Sequence, residues 1–224
     1  MKLYPSFAAG LRATLPCLLI SLLSQSALAA DASSAASLLA DLRAGGFNVL
    51  MRHASSPRTL PDAATKHPGN DTLERQLDDA GLAAAREFGD ALRRLKIPVG
   101  ELLSSPTYRA LETIRIARLG TARTVEELGE AGMAMAPQGA PAPSATPAGD
   151  NASTTWLKAQ LGKLPRKGTN TFLITHVPNI SAALGTAGSG LADGEAVIIK
   201  PDGKGGFAVM GRIKIEEWSK LDAH

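Results

Sequence analysis

The run Phe47-Asn48-Val49-Leu50-Met51-Arg52-His53-Ala54 limits most what this chain can fold into. Four apolar residues around one Asn make a segment of strand length, apolar on both faces, as in a strand buried within a sheet. The run then closes on Arg52 and His53, residue types that are costly to bury without partners. A buried strand that delivers two basic residues to its carboxyl end fits an open α/β sheet. In such sheets, ligands bind in the crevice beyond those ends. Other strands are then expected to supply partners for His53.

The remaining chain alternates as such a sheet requires. Residues 35–44 have helical apolar spacing and stop at Gly45-Gly46, a C-cap signal. A long polar loop, 54–75, leaves directly from His53 and contains Pro57, Pro61, Pro68 and Gly69-Asn70. A loop of that length beginning at a candidate site is expected to be functional. Residues 76–95 follow as an amphipathic helix, with Asp78 and Asp79 in the first turn and Arg93, Arg94 and Lys96 near the end. That charge order suits the helix dipole, and Pro98 stops the helix. Residues 101–104 read as a short strand. Ser105-Pro106 then reads as the N-cap and N1 of a helix over 106–119. Residues 124–128 read as another strand. The stretch 131–153, rich in Ala, Pro, Gly and Ser, reads as a flexible insertion. A helix over 154–164 precedes an apolar strand, 171–175, that ends at His176. Pro178 opens a helix over 179–187, and strands 195–200 and 207–215 flank a hairpin signal at 201–206. This order predicts an α/β sheet, mostly parallel with an antiparallel edge.

The amino terminus has a different character. Lys2 and Arg12 form a basic region, Leu15 to Leu23 an apolar one, and Ala27-Leu28-Ala29 has the small-x-small spacing of a signal-peptidase site. Residues 1–29 are therefore expected to be a signal peptide and 30–224 a single domain, periplasmic or secreted, with no stable membrane anchor after cleavage. Removing those two cations from 24 Lys and Arg leaves 22 against 21 acids, a net charge of +1 in place of +3. A balance so near neutral gives no support for a nucleic-acid partner. Cys17 is the only cysteine and lies inside the leader, so the exported domain has to be stabilised by its core, without a disulfide.

Three strand ends carry the chemistry. One ends at Arg52-His53. A second runs into Ser104-Ser105-Pro106-Thr107-Tyr108-Arg109-Ala110, with Arg109 in the first turn of a helix, and a third ends at Thr175-His176 just before a helix. Parallel strands bring their carboxyl ends to one edge, beside helix N-termini that favour anions. Two guanidinium forks bind phosphoryl oxygens and stay charged, one imidazole nitrogen attacks phosphorus, and a second imidazole donates to the oxygens. His53 and His176 have no companion His or Cys at metal-ligand spacing, and neither a glycine-rich phosphate loop nor an Asp cluster for magnesium is visible. No metal or cofactor is expected.

These residues match a known pattern. Met51-Arg52-His53-Ala54, then Ser104 through Thr113, then Thr175-His176-Val177-Pro178-Asn179, resemble the histidine phosphatase (phosphoglycerate mutase-like) superfamily over about residues 45–217. The leader, the His-x-Pro-Asn variant and Gly194-Glu195-Ala196 are most similar to exported bacterial members, some of which act on phosphorylated heptoses of the lipopolysaccharide core. The resemblance implies a three-layer α/β/α fold and a phosphohistidine on His53. It also implies a phosphate pocket completed by Arg52, Arg109 and His176. The family usually has Gly where this chain has Ala54. The proton donor is implied at Glu130, in Leu128-Gly129-Glu130, with Glu126, Glu127 and Glu195 as further candidates. The Asp that the acid-phosphatase branch places after the second His is here Val177. Arg58, Asn70 and Arg75 are loop residues that could reach the pocket, whereas His67 and His224 are expected at the surface and Trp156 and Trp218 in packing. The implied activity is phosphomonoester hydrolysis of a small molecule or sugar. The alternative is a phosphate- or polyanion-binding protein that kept the pocket without the acid. Neither the substrate nor the oligomeric state is written in the sequence.

Overall fold

The computed structural model describes residues 37–57, 75–129 and 151–221. The expected signal peptide, the middle of the 54–75 loop with Arg58, His67 and Asn70, and residues 130–150 and 222–224 lie outside the described residues. The described residues from Ala40 to Leu221 belong to one compact unit.

Its strands are β1 (Asn48–Arg52), β2 (Val99–Ser104), β3 (Arg123–Thr124), β4 (Asn170–Thr175), β5 (Ala196–Pro201) and β6 (Phe207–Ile213). They form one sheet in the order β3-β2-β4-β1-β5-β6. β1 through β4 pair in parallel, while β5 and β6 are antiparallel, so the mixed α/β sheet with an antiparallel edge is as expected. The helices are α1 (residues 37–44), α2 (Asp79–Arg94), α3 (Tyr108–Ala117), α4 (Ala152–Leu161) and α5 (Val177–Leu184).

Strand interiors are apolar because both faces of the sheet are covered. Leu50, Leu103, Leu173, Val197 and Ile199 cluster with Leu157 and Leu161 of α4 and Ile180 and Ala183 of α5. Phe172 stacks toward Phe88 of α2, whose ring meets fully buried Trp218 edge-on at 5.4 Å. Trp218 is thus the packing residue it was expected to be. The two buried Asn at strand entries each close a helix or loop end. Asn48 Nδ2 donates to the carbonyls of Leu161 (2.9 Å) and Lys163 (3.0 Å), which α4 leaves open at its C-terminus. Asn170 Nδ2 donates to Leu42 O and its Oδ1 accepts from Phe47 N. After α1, Gly45 takes a φ of +81° and passes so close to Thr169 that a Cβ there would sit 2.6 Å from its backbone nitrogen.

Several expected boundaries move, each for a local reason. Residues 124–128 are not a strand: β3 is two residues long, and Glu126–Leu128 make a 3-10 turn. Val125 and Leu128 are both buried and three residues apart, a spacing that one tight turn satisfies and a strand does not. Pro106 is not helical, and α3 starts at Tyr108 with Thr107 as N-cap, leaving Ser105 for another purpose. Residues 152 and 153 belong to α4 and Asn151 is its N-cap, not part of the insertion, because the Asn151 side chain accepts from Thr154 N at 2.8 Å. Asp78 is the N-cap of α2, and only Asp79 sits in its first turn. α5 begins directly after His176, two residues earlier than expected, and gives way to a 3-10 turn at Gly185–Gly188.

Candidate active site

Register brings the two imidazoles together. β1 and β4 are parallel neighbours with Arg52 opposite Thr175, so His53 and His176 follow at the same level. His53 N extends the ladder to Thr175 O, and the two rings lie 5.2 Å apart at 64°. Both are nearly fully buried. β2 lies on the far side of β4, and the turn after it starts α3, whose second residue is Arg109. Arg109 is 1% exposed. Its Nε is 3.3 Å from His53 Nε2 and its Nη2 is 3.5 Å from His176 Nδ1.

The backbone fixes the His53 tautomer. Nδ1 lies 2.8 Å from the carbonyl of Ala54. A carbonyl only accepts, so Nδ1 carries the proton and Nε2 presents its lone pair to the Arg109 guanidinium. The main chain here is held on three sides: His53 O accepts from Gly194 N (2.9 Å), Ala54 N donates to Thr113 Oγ1 (3.0 Å), and Thr113 donates to Arg109 O (2.8 Å). Burial drives the His53 pKa from 6.5 to about 3, with Arg109, Arg52 and Arg75 adding to the effect against the opposing Ala54 bond. His176 is likewise pushed well below its ordinary value, first by burial, then by His53 and the guanidinium groups. Both rings are therefore neutral at pH 7, and the charges acting on them from the described residues are cationic.

Ser105 is a residue that the sequence reading assigned to a helix cap, and it turns out to hold His176. Its Oγ is 2.9 Å from His176 Nε2, accepts from Thr107 N at 3.2 Å and donates to Thr107 Oγ1 at 3.1 Å. With Nδ1 facing an Arg109 N–H, the neutral ring donates from Nε2 to Ser105. The signal was the Ser-Ser-Pro-Thr run at a strand end, where hydroxyls are as available to a neighbouring strand as to a helix. α3 and α5 both start at this edge without a side-chain cap, so the positive ends of two helix dipoles lie there, an arrangement that favours an anion.

Arg52 lies at the rim. Its Nη1 donates to Leu191 O (2.8 Å) and its Nη2 pairs with Asp193 at 2.5 Å. Nothing in the sequence marked Asp193 as its partner. Arg75, at the returning end of the long loop, bears on both imidazoles, and its buried Nε has no hydrogen-bond partner among the described residues. That end is stapled: Ser55 Oγ donates to Asp78 (2.7 Å) and Ser56 Oγ to Gln76 O (2.6 Å).

The carboxylates divide. Glu195 is not available as an acid. Its side chain is 5% exposed, and Oε1 accepts from Arg212 Nε at 2.6 Å while Oε2 accepts from Ala192 N at 2.8 Å. Burial by itself would raise its pKa, but the Arg212 and Ala192 bonds lower it overall, so it stays ionised as a brace for the 189–195 loop. Glu126 is exposed and Glu127 half-buried on the 3-10 turn. Glu130 lies outside the described residues. The backbone leading to it is pinned beside His176: Thr175 Oγ1 donates to Leu128 O (2.7 Å), and Asn179 Nδ2 donates to Gly129 O (2.7 Å) and Glu127 O (3.3 Å).

The two neutral imidazoles make stability pH-dependent. The unfolded chain takes up a proton on each near its ordinary pKa of 6.5, whereas folded His53 resists until about 3. Stability is therefore complete above about pH 6.5 and declines as pH falls below it, by up to about 1.4 kcal/mol per pH unit for each ring. Urea unfolding between about pH 7 and 5.5 avoids most carboxylate titration. His53→Asn is expected to remove about half of this decline, and an unchanged slope would mean that His53 is charged in the fold.

The sequence pattern of the histidine phosphatase superfamily (branch 1) matches residues 49–163, which include Arg52, His53 and Arg109. His176 lies beyond the matched residues and reaches the site through β4. No curated protein matches the chain. Among solved structures, the protein histidine phosphatase SixA complexed with tungstate aligns with a TM-score of 0.52 and 16% identity, over 76% of this chain and 98% of that one. A phosphoserine phosphatase from Entamoeba histolytica in complex with phosphoserine aligns at a TM-score of 0.49 and 14% identity, covering 76% and 98%. By the matched sequence pattern and by a fold like that of SixA, the chain belongs to the histidine phosphatase superfamily.

Proposed function

We propose that the protein is a phosphomonoesterase that works through a phosphohistidine on His53. The observation that carries this reading is the orientation of His53: Nδ1–H is spent on Ala54 O, and the Nε2 lone pair lies under Arg109 at the mouth of two helix N-termini. A phosphate ester docks with its oxygens on Arg109, Arg52 and Arg75, beside the positive ends of α3 and α5. Nε2 forms the N–P bond as the ester P–O bond breaks, and the leaving oxygen takes its proton from Glu130. The same carboxylate then removes a proton from water, whose oxygen attacks phosphorus. The N–P bond breaks, and inorganic phosphate and free His53 are regenerated. His176, its Nε2–H held by Ser105, lies beside the transferring group and takes a proton from the monoanionic ester on Nδ1, which then donates to the phosphoryl oxygens as charge builds. The guanidinium groups supply the compensating charge.

Location follows from the leader: residues 1–29 carry the features of an export signal, so the site operates in the periplasm or outside the cell. The resemblance to exported members favours a phosphorylated sugar, including core heptose, as substrate. A panel of aryl phosphates, sugar phosphates and phosphorylated heptoses tests the reading. Hydrolysis of aryl phosphates with a preference for sugar phosphates is expected. Tight phosphate binding with no ester hydrolysed would instead favour the polyanion-binding alternative.

A further inference from the structure

The sheet has a second edge, opposite the site. The site occupies the carboxyl ends of β1, β2 and β4. At their amino ends lie the 162–169 segment before β4 and the β5–β6 turn, 202–206, which reaches the same edge because β5 runs antiparallel to β1. These two loops touch: a Cβ on Gly162 would lie 2.3 Å from Gly205 O, and one on Gly203 would lie 3.1 Å from Leu164 Cδ1. Leu164 is 64% exposed, more than Met210 (49%) or Val209 (39%), the other large apolar side chains on the surface of the described residues. It stands beside an open groove of about 440 Å³ lined by Lys163, Gly203 and Gly205. Around it Lys163, Arg166, Lys167 and Lys204 are all exposed.

The acids at this edge offset these cations only in part. Asp202 Oδ1 accepts from Lys204 N (2.7 Å) and Gly206 N (2.9 Å), which ties the carboxylate to the turn and sets one acid against four cations. Glu101, which shares a small cleft with Lys163 and Leu164, is paired with Arg123. A chain whose charge nearly balances overall thus places four cations around one protruding leucine. A solvated basic face has no use for an exposed leucine, and an apolar protein partner has no use for four cations. The combination fits an anionic bilayer, where headgroups take the cations and the leucine enters the interface.

We infer that the edge formed by residues 163–167 and 202–205 docks reversibly on anionic lipid membranes. The active site then lies away from the docked edge, because it occupies the opposite edge of the same sheet. This inference does not depend on the phosphatase chemistry.

The test is sedimentation of the full chain with vesicles of phosphatidylcholine, with and without phosphatidylglycerol, at low and high salt. Binding to the anionic vesicles and not the neutral ones is expected, and it should weaken as salt rises. Lys163→Glu, Arg166→Glu and Lys167→Glu combined should weaken it about 100-fold, since each basic residue at such a surface contributes on the order of fivefold. Leu164→Ser should weaken it several-fold at unchanged salt slope. The variants keep residues 1–39, so the difference from the parent chain reads this edge alone. Thermal unfolding by circular dichroism, with the combined Gln variant as a milder second set, separates docking from folding. Equal binding to neutral vesicles, undiminished binding by the folded variants, or binding of RNA with no binding of vesicles would each overturn the inference.

Discussion

Replacing His53 by alanine is expected to lower turnover of an aryl phosphate by about 10⁴-fold or more, the scale seen when a covalent nucleophile is removed. The large effect follows from geometry. Among the described residues, no other nucleophile is aimed as Nε2 of His53 is, with its partner nitrogen locked on a backbone carbonyl at 2.8 Å. His176 also turns a lone pair, on Nδ1, toward Arg109 at 3.5 Å, but its other nitrogen is held by the Ser105 hydroxyl and not by a backbone carbonyl, so residual turnover of the variant reads how far His176 can substitute. The substitution also leaves a small cavity among Ala54, Arg109 and His176, so folding should be checked by thermal unfolding before the rate is read. A folded variant that retains near-parental turnover would remove the covalent mechanism.

Arg109→Ala should cost about 10²- to 10³-fold in kcat/KM, comparable with losing a main electrostatic contact to a transition state. Arg109 reaches both imidazoles, at 3.3 and 3.5 Å, so its fork spans the space where phosphorus would sit. Its removal also lifts one of the charges that hold both rings neutral, and the pKa values of His53 and His176 should rise. Arg109→Lys keeps the charge and loses the fork. It is expected to recover only part of the rate, with inorganic phosphate inhibiting less well than in the parent chain. Equal activity of the Lys variant would mean that charge alone, and not two-pronged contact, is what Arg109 supplies.

The succession of strands and helices along the chain and the convergence of Arg52, His53, Arg109 and His176 on one edge were legible in the sequence, because each lies at or just past the end of an apolar strand and parallel pairing does the rest. Element boundaries were less so. The 3-10 turn at Glu126–Leu128 looks like a strand when only β-branched content is weighed, and its true shape depends on hydrogen bonds from Thr175 and Asn179, about 50 residues away. Ser105 was misassigned for the same reason: local capping rules know nothing of a histidine on the neighbouring strand. Glu195 has the right chemistry for an acid, but Arg212, 17 residues on, claims it. Asp193 was invisible, since pairing with Arg52 spans 141 residues of chain and is set by the loop that Glu195 braces.

The central claim is the phosphohistidine, and chemical quench with a labelled ester tests it most directly. Within the first turnovers, label should appear on the protein in an acid-labile, alkali-stable bond that maps to His53, and it should be absent from His53→Ala. Product released in the first turnover with no labelled protein, or label on any residue other than His53, would contradict the account.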